Sequence, residues 1–410
     1  MNKKILFKLW QFPRLSETFF IAQIITAIKC GFDVNILVEE VPKEDLQHKE
    51  LLIKYGLLDK IIVENYKIPE NKVWRILKAF FLILINIRNF FKLKAFITGQ
   101  TRFETKYIYM FEFYKNLRHY DLVHVQYGTN GRPLDLLKKI DFFPPKIIVS
   151  FHGHDVYFPI NGMIHNNGYY EMLFKYSDKL IANTPYLKEV LLSLRAPENK
   201  IDVIPVGVDT EYFKPADVKI KSIEVFKIIT VGRLEIVKGQ KFGMEVIKRL
   251  KNQGYKIHYT LIGTGTQEEI LKKYILDYDL TDEITLVGRK PQKDIRELLL
   301  QQDLFLMTSV NDPEFGSESQ GLVTAEAQAS GIPVVGFDSG GVKYTIADNI
   351  SGYIVPEYDI NAMTEKVEIM IKNEKLRLKM GQAAKDYIDK NFAQNVIDDI
   401  WCTTYKKILN

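Results

Sequence analysis

The sequence predicts an α/β protein with two domains, each built around a doubly wound parallel sheet. A chain of 410 residues is too long for one typical domain and long enough for two. Short apolar, β-branched runs alternate with segments of helical periodicity, a pattern typical of parallel sheets covered on both faces. These alternating units form two series, and the stretch 205–215 between them contains Pro205, Gly207 and Pro215, which break regular structure.

The two series supply the candidate strands in chain order. The first contains Lys4–Leu9, Val34–Val38, Ile61–Val63, Leu122–Gln126, Ile147–Phe151, Leu180–Ala182 and Val203–Val206. The second contains Lys227–Val231, His258–Ile262, Ile284–Val287, Leu304–Met307, Val334–Phe337 and Tyr353–Val355. Candidate helices lie at Phe19–Lys29, Gly243–Gln253, Gln267–Leu276 and Lys293–Gln302. We therefore expect an N-terminal domain over 1–205 and a C-terminal domain over 206–391.

Composition and cysteine usage indicate a globular protein of a reducing compartment. The apolar fraction is 46% and the charged fraction 26%, values ordinary for a chain with a substantial core. Cys30 and Cys402 stand near opposite ends of the sequence, so we expect a cytoplasmic protein without a bridge between them. The longest apolar run, Ala79–Ile85, is far short of the roughly 20 residues that cross a bilayer, so no membrane span is expected.

Positive charge and aromatic side chains are concentrated in the stretch 72–118. Between Asn71 and His119 there are ten Lys and Arg residues and only two acids, Glu104 and Glu112. This pattern has two interpretations: contact with an anionic membrane surface, or ordinary amphipathic helices that pack on the first sheet. Nucleic acid is not expected as a partner, because no other feature of the chain supports it.

The strongest candidate site follows the strand Leu304–Met307, since ligands of open parallel sheets bind beyond the carboxyl ends of the strands. Gly316 and Gly321 allow close approach of a backbone to a ligand. A helix predicted from Leu322 to Ser330-Gly331 offers free N–H groups and a positive dipole end to a phosphate. Glu318 precedes this helix and Glu326 lies inside it. The alternative is a βα turn whose acidic side chains are merely solvated.

Two further clusters follow other predicted strands. Gly232-Arg233-Leu-Glu-Ile-Val-Lys238-Gly239 places two cations in one loop, which suits a diphosphate, although two surface cations are the simpler interpretation. Ser150-Phe-His152-Gly153-His154-Asp155 places polar side chains around a glycine at the end of a buried strand. The His-x-His pattern suggests a metal, but no further His or Cys lies near it, so we expect no metal there.

Two other motifs resemble sites but lack the required context. Gly263-Thr-Gly265 is a fragment of a dinucleotide fingerprint without its third glycine or its acidic ribose partner, which disfavours a nicotinamide-dependent enzyme. Asp277-Tyr-Asp279 resembles a metal-holding acidic pair, but it follows a predicted helix instead of a strand.

Together these motifs resemble glycosyltransferase family 4, whose members have the GT-B fold of two Rossmann-like domains that face a central cleft. The resemblance covers nearly the whole chain and is densest from Pro205 to Pro356. The matching segments, in chain order, are Ile204–Phe213, Val231–Gly239, Leu261–Gly265, Leu286–Arg289 and the pair Glu318 and Glu326 with seven residues between them.

The resemblance implies a role for each matching residue. Arg233 and Lys238 hold the donor diphosphate, and Glu326 accepts hydrogen bonds from the ribose. Glu318 contacts donor-sugar hydroxyls, and His152 approaches the sugar from the N-terminal domain. The remaining implied donor-binding residues are Gly232, Gly263, Arg289, Ser319, Gln320, Gly321, Leu322 and Val323.

The loop Trp10–Phe19 is similar to that of the exopolysaccharide and colanic-acid branch of this family. Acceptor-side candidates are then Ser16, Glu17, Thr18, His154 and Asp155, although Ser16 is equally suited to cap the following helix. The resemblance also implies that a C-terminal helix, 392–410, packs back on the first domain.

The resemblance implies retaining transfer with no metal or other cofactor. The donor is a nucleotide-sugar, with UDP favoured, and the acceptor is a saccharide or a polyprenyl-linked saccharide. The rival interpretations are a sugar-nucleotide epimerase of the same architecture and a non-catalytic nucleotide-sugar-binding protein.

Overall fold

The computed structural model of the chain describes residues 2–13, 18–42, 49–100, 102–158, 166–215 and 224–410. The chain divides into two compact units. The first unit comprises Met1–Ala182, Lys188–Ile204 and Asp398–Asn410, and the second comprises Asn183–Leu187 and Pro205–Ile397. Residues 392–397, which the sequence assigns to the returning helix, group with the second unit.

A seven-stranded parallel sheet forms the centre of the first unit. Its strands are β1 Lys4–Gln11, β2 Asp33–Glu40, β3 Ile61–Val63, β4 Leu122–Gln126, β5 Lys146–Phe151, β6 Lys179–Ala182 and β7 Ile201–Val203, in the order β3-β2-β1-β4-β5-β6-β7. In the central register, Phe7 pairs with Ile36 on one side and with His124 on the other. All five residues of β4 are buried, as expected for a strand covered on both faces.

A six-stranded parallel sheet forms the centre of the second unit. Its strands are β8 Phe226–Val231, β9 Ile257–Ile262, β10 Ile284–Leu286, β11 Leu304–Met307, β12 Val334–Phe337 and β13 Gly352–Val355, in the order β10-β9-β8-β11-β12-β13. Ile228 and Ile229, which are neighbours in β8, pack in two different apolar clusters, because successive side chains of a strand point to opposite faces of the sheet. The two sheets confirm the predicted fold class of two doubly wound α/β domains.

Helices cover both sheets. In chain order they are α1 Thr18–Lys29, α2 Lys49–Lys54, α3 Lys72–Ile85, α4 Phe90–Thr98, α5 Lys106–Lys115, α6 Leu134–Lys139, α7 His154–Tyr157, α8 Glu171–Tyr176, α9 Pro185–Ser193, α10 Thr210–Phe213, α11 Gln240–Asn252, α12 Glu268–Asp277, α13 Gln292–Leu299, α14 Leu322–Ala329, α15 Ile360–Lys372, α16 Glu374–Asn391 and α17 Gln394–Leu409. None of the helices in the described parts of the chain has the length and apolarity needed to cross a membrane.

Local sequence signals explain where several elements begin and end. The carboxylate of Asp359 accepts a hydrogen bond from the Ala362 amide at 2.9 Å and caps α15. Gly331, with φ of 76°, follows the end of α14, as the predicted stop signal required. The predicted strand Val203–Val206 was wrong in its bounds. Its ladder ends where the Ile204 amide donates to Ala182 O at 2.9 Å, because Pro205 has no N–H to continue it.

Most of α17 belongs to the first unit, and a disulfide joins it to the residue that follows α1. Cys30 and Cys402 form a disulfide with their Cα atoms 5.8 Å apart, across a sequence separation of 372 residues. Beside it, the Thr26 hydroxyl donates to the Asp398 carboxylate at 2.6 Å. The expectation that these cysteines are unbridged was therefore wrong. Distance along the sequence carried no information here, because the returning helix brings the two ends of the chain together.

Candidate functional site

The candidate donor site lies at the centre of the second sheet. In the observed strand order, β8 and β11 are neighbours, and the chain winds outward from them in opposite directions. This is the topological switch point, where ligands of open α/β sheets bind beyond the carboxyl ends of the strands. The loops that follow β8 and β11 are 232–239 and 308–321, which contain the two strongest predicted motifs.

Backbone hydrogen bonds join the loop after β8 to its neighbours. The Gly232 amide donates to Ile262 O at 2.9 Å, and the Gly263 amide donates to Gly288 O at 3.0 Å. Gly263 has φ of 142°, and a Cβ at this position would overlap the carbonyl of Gly232. The structure therefore brings the predicted residues Gly232, Gly263 and Arg289 to one edge of the sheet, with Arg289 exposed.

The loop after β8 is also tied to the loop after β11. Gly239 adopts the left-handed conformation, with φ of 61°, and a Cβ there would overlap the Thr308 carbonyl. The Thr308 hydroxyl donates to Lys238 O at 3.0 Å. These contacts fix the backbone of Lys238 and direct its side chain toward the second loop.

An ion pair between Lys238 and Glu318 connects the two motifs. The Lys238 ammonium donates to Glu318 Oε2, and the exposed fractions of the two side chains are 22% and 15%. Burial acts to raise the pKa of Glu318, but the Lys238 charge and the backbone N–H donors outweigh it, so the pKa lies below its usual range. Arg233 is exposed in the same loop, and no acidic partner is described for its guanidinium.

Glu318 also organises the beginning of α14. Its Oε1 accepts from the Gly321 amide at 3.2 Å, and its carbonyl accepts from the Gly341 amide at 2.7 Å. Gly321 takes φ of 81° immediately before the helix. Leu322 and Val323 are the first two residues of α14, where backbone amides have no intrahelical acceptor. This end of the helix suits an anion.

The side chains of Ser319 and Gln320 face the neighbouring backbone and side chains of the second unit. Asn183 Nδ2 donates to Ser319 Oγ at 3.1 Å. The Gln320 amide forms two hydrogen bonds of 2.9 Å with the N–H and carbonyl of Val206, and the residue is 1% exposed. These side chains hold the loop in place. Any contact of Ser319 or Gln320 with a donor is therefore expected to come from the backbone of the loop.

Glu326 is a partly buried carboxyl on α14, one turn beyond the amides at its start. Burial raises the pKa of Glu326 to about 7, against the opposing effect of a hydrogen bond from Gln292. Gln292, the first residue of α13, was missed by the sequence analysis. Its position directly after Pro291, at the start of a helix, was the signal that could have identified it.

The third motif follows β5 in the first unit, where Asp155 holds two loops together. Its Oδ1 accepts from the amides of His152 and Gly153 at 3.0 Å each, and its Oδ2 accepts from the Gly128 amide at 2.8 Å. Burial raises the pKa of Asp155 to about 6, although these amides act in the opposite direction. Asp155 is 4% exposed, which fits an organising role, and its contact with an acceptor stays a prediction.

His152 belongs to a hydrogen-bonded chain that runs through the first unit. His152 Nε2 lies 3.0 Å from Gln126 Oε1, and Gln126 Nε2 lies 3.3 Å from His124 Nε2. His124 in turn meets the Ser150 hydroxyl and the Tyr405 hydroxyl of α17, each at 2.8 Å. Burial lowers the pKa of His152 and of His124 to about 3, so both rings are neutral at pH 7. With the amide so oriented, His152 carries its proton on Nε2 and donates it to Gln126.

His124 and Gln126 were also missed by the sequence analysis. They occupy alternate positions of the otherwise apolar strand Leu-Val-His-Val-Gln, so both side chains point to one face of the sheet. A period-two pair of polar residues in a strand buried on both faces was the available signal.

The other acceptor-side candidates also belong to the first unit. Thr18 is the first residue of α1 and His154 the first of α7, where His154 is exposed. Ser16 and Glu17 lie outside the described residues.

The acidic pair Asp277 and Asp279 lies at the end of a helix and not at the end of a strand. Asp277 is the last residue of α12, and the carboxylate of Asp279 pairs with Lys251 at 3.7 Å. Among the described residues, no three His, Cys, Asp or Glu side chains come together as a possible metal site.

Two family models match the chain. Glycosyltransferase Family 4 matches residues 31–212, and Glycosyl transferases group 1 matches residues 216–387. The amylovoran biosynthesis glycosyltransferase AmsK of Erwinia amylovora is 28% identical over 401 residues, covering 96% of this chain and 97% of the relative. The putative colanic acid biosynthesis glycosyltransferase WcaL of Escherichia coli K12 is 28% identical over 400 residues, with the same coverage.

Solved structures share the fold over the full chain. A glycosyltransferase from Rickettsia africae ESF-5 superposes with a TM-score of 0.72 and 21% identity, covering 100% of this chain and 99% of that one. Anabaena Alr3699/HepE in complex with UDP superposes with a TM-score of 0.70 and 15% identity, covering 99% of this chain and 100% of that one. These structures share the GT-B fold. Because the two family models together match residues 31–212 and 216–387, the chain belongs to glycosyltransferase family 4 and is a glycosyltransferase with the GT-B fold.

Proposed function

We propose that the protein is a retaining, metal-independent transferase of surface polysaccharide biosynthesis. It moves a sugar from a nucleotide-sugar, with UDP-sugars favoured, to a saccharide or polyprenyl-linked saccharide acceptor. The observation that carries the proposal is the Lys238–Glu318 pair at the switch point of the second sheet, beside Arg233 and the start of α14. The names of AmsK and WcaL support the pathway class, and the UDP complex of HepE supports the nucleotide.

The physical basis is electrostatic stabilisation of the leaving group. Departure of a nucleoside diphosphate concentrates negative charge on its phosphate oxygens, and preorganised donors at that position lower the barrier. Arg233, Lys238 and the first amides of α14 supply such donors without a metal ion. When the diphosphate takes over Lys238, Glu318 is released to accept hydrogen bonds from hydroxyls of the donor sugar.

The transfer step needs no nucleophile from the protein. The bond between the anomeric carbon and the phosphate oxygen breaks, and an acceptor hydroxyl forms the new glycosidic bond on the same face. The acceptor proton passes to the departing phosphate oxygen, so that charge and atoms balance. Neutral His152, fixed by Gln126, contributes a hydrogen-bonding edge to the donor sugar.

Acceptor recognition belongs to the first unit in this proposal. β1 is the neighbour of β4 at that sheet's own switch point, and Ser16, Glu17 and Thr18 follow β1 in the sequence. The enzyme works on the cytoplasmic side of the plasma membrane, with the stretch 72–118 toward an anionic surface. In a reducing compartment the bridge at Cys30 opens, and the Thr26–Asp398 hydrogen bond still joins α1 to α17.

The test is nucleotide release from a panel of UDP-, GDP- and ADP-sugars. Each reaction runs with EDTA, with and without membrane extract, on the wild type and on Lys238→Ala and Glu326→Ala. We expect extract-dependent release from one donor, indifferent to EDTA and lost in both variants. The anomeric configuration of the product, read from its NMR coupling constant, tests retention.

The matched control is Lys272→Ala, since Lys272 also pairs with glutamates of the second unit but on the exposed helix α12. It should retain full activity. Turnover of a nucleotide-sugar without any acceptor to a product that keeps its nucleotide would favour the epimerase. Release that requires a divalent metal would contradict the mechanism.

A further inference from the structure

The first unit exposes a run of large apolar side chains on α3, the turn that follows it and the first two residues of α4. In α3, the exposed fractions are 66% for Trp74, 62% for Ile76, 61% for Phe80 and 58% for Phe81. Beyond the helix, Phe91 is 83% exposed. We call the exposed apolar side chains of residues 73–91 the apolar ridge. Single exposed apolar residues are normal on a protein surface, but a contiguous group of this size marks an interaction site.

Only a narrow stripe of α3 attaches it to the rest of the unit. Ala79 and Leu82 are the buried residues of the helix, and they pack in a small cluster with Ile108 and Tyr109 of α5. The Tyr109 hydroxyl donates to the Arg75 carbonyl at 2.6 Å. By contrast, five residues of α5 are buried, so α5 is an ordinary packed helix. Both interpretations of the stretch 72–118 therefore apply, each to a different part. The helix α5 packs against the rest of the unit, whereas most of α3 is exposed and available to a partner.

The geometry of the ridge is that of a helix lying in a membrane interface. At about 100° per residue, the exposed apolar positions 73–85 cover about half of the circumference of α3. The buried stripe lies on the opposite side. A soluble helix usually places charged residues on the side away from the core, but here that side is apolar. An apolar half-circumference on the outside is the pattern of interfacial helices.

The charges around the ridge select the kind of surface. From Asn71 to Phe103 the sequence has seven Lys and Arg residues and no acid. Lys72 and Arg88 are exposed, and no acidic partner is described for either. Cations beside apolar side chains match an anionic leaflet, in which the side chains enter the acyl boundary and the cations meet headgroup phosphates.

We infer that the apolar ridge inserts α3, the turn after it and the start of α4 into the surface of an anionic phospholipid bilayer. A second copy of the chain fits less well, because a two-fold contact places identical surfaces together and would bring these cations face to face. An acidic amphipathic peptide fits less well, because such helices bind in grooves and α3 projects as a ridge. The inference deepens the proposed function, for which it supplies contact with a lipid-linked acceptor, but it rests on the exposed residues themselves.

The test is sedimentation of the full chain with phosphatidylcholine vesicles that contain or lack phosphatidylglycerol. We expect binding to the anionic vesicles, weakened by salt. The variant Trp74→Gln/Ile76→Gln/Phe80→Gln should lower the partition coefficient about tenfold or more, because each side chain loses its gain from burial in the acyl boundary. Lys72→Gln and Arg88→Gln should lower it about fivefold each.

The control variant is Ile270→Gln/Leu276→Gln. These side chains are 52% and 71% exposed on α12 of the second unit, so the variant changes exposed apolar area away from the ridge. It should bind vesicles as the wild type does. Equal binding of the ridge variant and this control, or binding of the wild type that ignores lipid charge, would overturn the inference.

Two further measurements distinguish membrane contact from contact with a second copy and from the transfer reaction itself. A dimer in analytical ultracentrifugation that dissociates in the ridge variant would make a second copy the occupant and overturn the membrane assignment. Nucleotide release measured on a soluble acceptor should be the same in the ridge variant and the wild type. Vesicle binding without any transfer therefore contradicts the proposed transfer reaction alone, and transfer without vesicle binding contradicts the membrane contact alone.

Discussion

Replacing Glu326 with glutamine should make the ligand-free protein more stable at alkaline pH and its nucleotide affinity weaker. Burial raises the pKa of Glu326 to about 7 in the folded chain, compared with the ordinary value of 4.5 for a glutamate side chain. A folded-state pKa above the unfolded one means that the folded state holds the proton more tightly between these two values. The contribution of Glu326 to the free energy of unfolding is then greatest below about pH 4.5 and falls as the pH rises to about 7.

The size of the effect follows from that difference in pKa. One pKa unit corresponds to about 1.4 kcal/mol, so the ionised carboxylate destabilises the fold by at most about 3 kcal/mol above pH 7. Contact of the side chain with water makes this an upper limit. Glutamine has the same shape and no charge, so the variant should lack this pH dependence. It should match the wild type near pH 4.5 and exceed its stability at pH 8.

The same carboxylate should make nucleotide binding depend on pH. If ionised Glu326 accepts hydrogen bonds from the ribose, UDP binds the deprotonated form, and the affinity of the wild type should rise about tenfold from pH 6 to pH 8. Hydrogen bonds to a charged group contribute about 1.5–3 kcal/mol, so Glu326→Gln should weaken binding about 10- to 100-fold at pH 8 and remove the pH dependence.

The assays are urea unfolding at pH 5 and pH 8 and calorimetric titration with UDP, or with the nucleotide that the donor panel identifies. Glu297→Gln serves as the control, because Glu297 is exposed on the neighbouring helix α13. A glutamine variant that is less stable than the wild type at pH 8 would refute the conclusion that the ionised carboxylate of Glu326 destabilises the fold. Unchanged nucleotide affinity would refute the ribose contact.

Substitutions at three other positions test the remaining features of the site and fold. Lys238→Ala should lower kcat about 10²- to 10³-fold, because a preorganised donor to the leaving phosphate is lost; an increase in KM alone would contradict this role. Gln126→Leu should lower kcat up to about tenfold with little change in KM, because it removes the hydrogen bond that orients His152. Gln126→Glu should restore the acceptor and raise the pKa of His152, which the pH profile of kcat would show. Cys402→Ser should destabilise the oxidised protein by about 2–4 kcal/mol in denaturant and leave the reduced protein unchanged, and equal losses under both conditions would show that the bond to Cys30 is not the cause.

The strands of this protein were predictable because their signals are local. Twelve of the thirteen predicted strands end within two residues of their observed bounds. Apolar runs and glycine or proline breaks act over a few residues, so they survive without knowledge of the rest of the chain. The exception, Val203–Val206, failed at Pro205, where the extended backbone continues but the hydrogen-bond ladder cannot.

The candidate donor site was predictable for a related reason. In a parallel doubly wound sheet, the carboxyl ends of the strands share one edge, so motifs after different strands converge there. Lys238 and Glu318 are 80 residues apart, yet each follows one of the two central strands and they form an ion pair. The two residues meet because each follows one of two neighbouring strands, and the number of residues between them in the sequence has little influence.

By itself, the sequence determined the two parallel sheets, the edge that carries the donor motifs and the kind of chemistry those motifs can perform. Only the tertiary structure decided which distant segments meet: Cys30 with Cys402, His152 with Gln126, and a single stripe of α3 with α5. Strand and turn signals come from interactions between residues that are neighbours in the sequence. Contacts between distant segments depend instead on how whole helices pack. The apolar side chains of α3 show the difference, because apolar character alone does not tell a buried helix face from an exposed one.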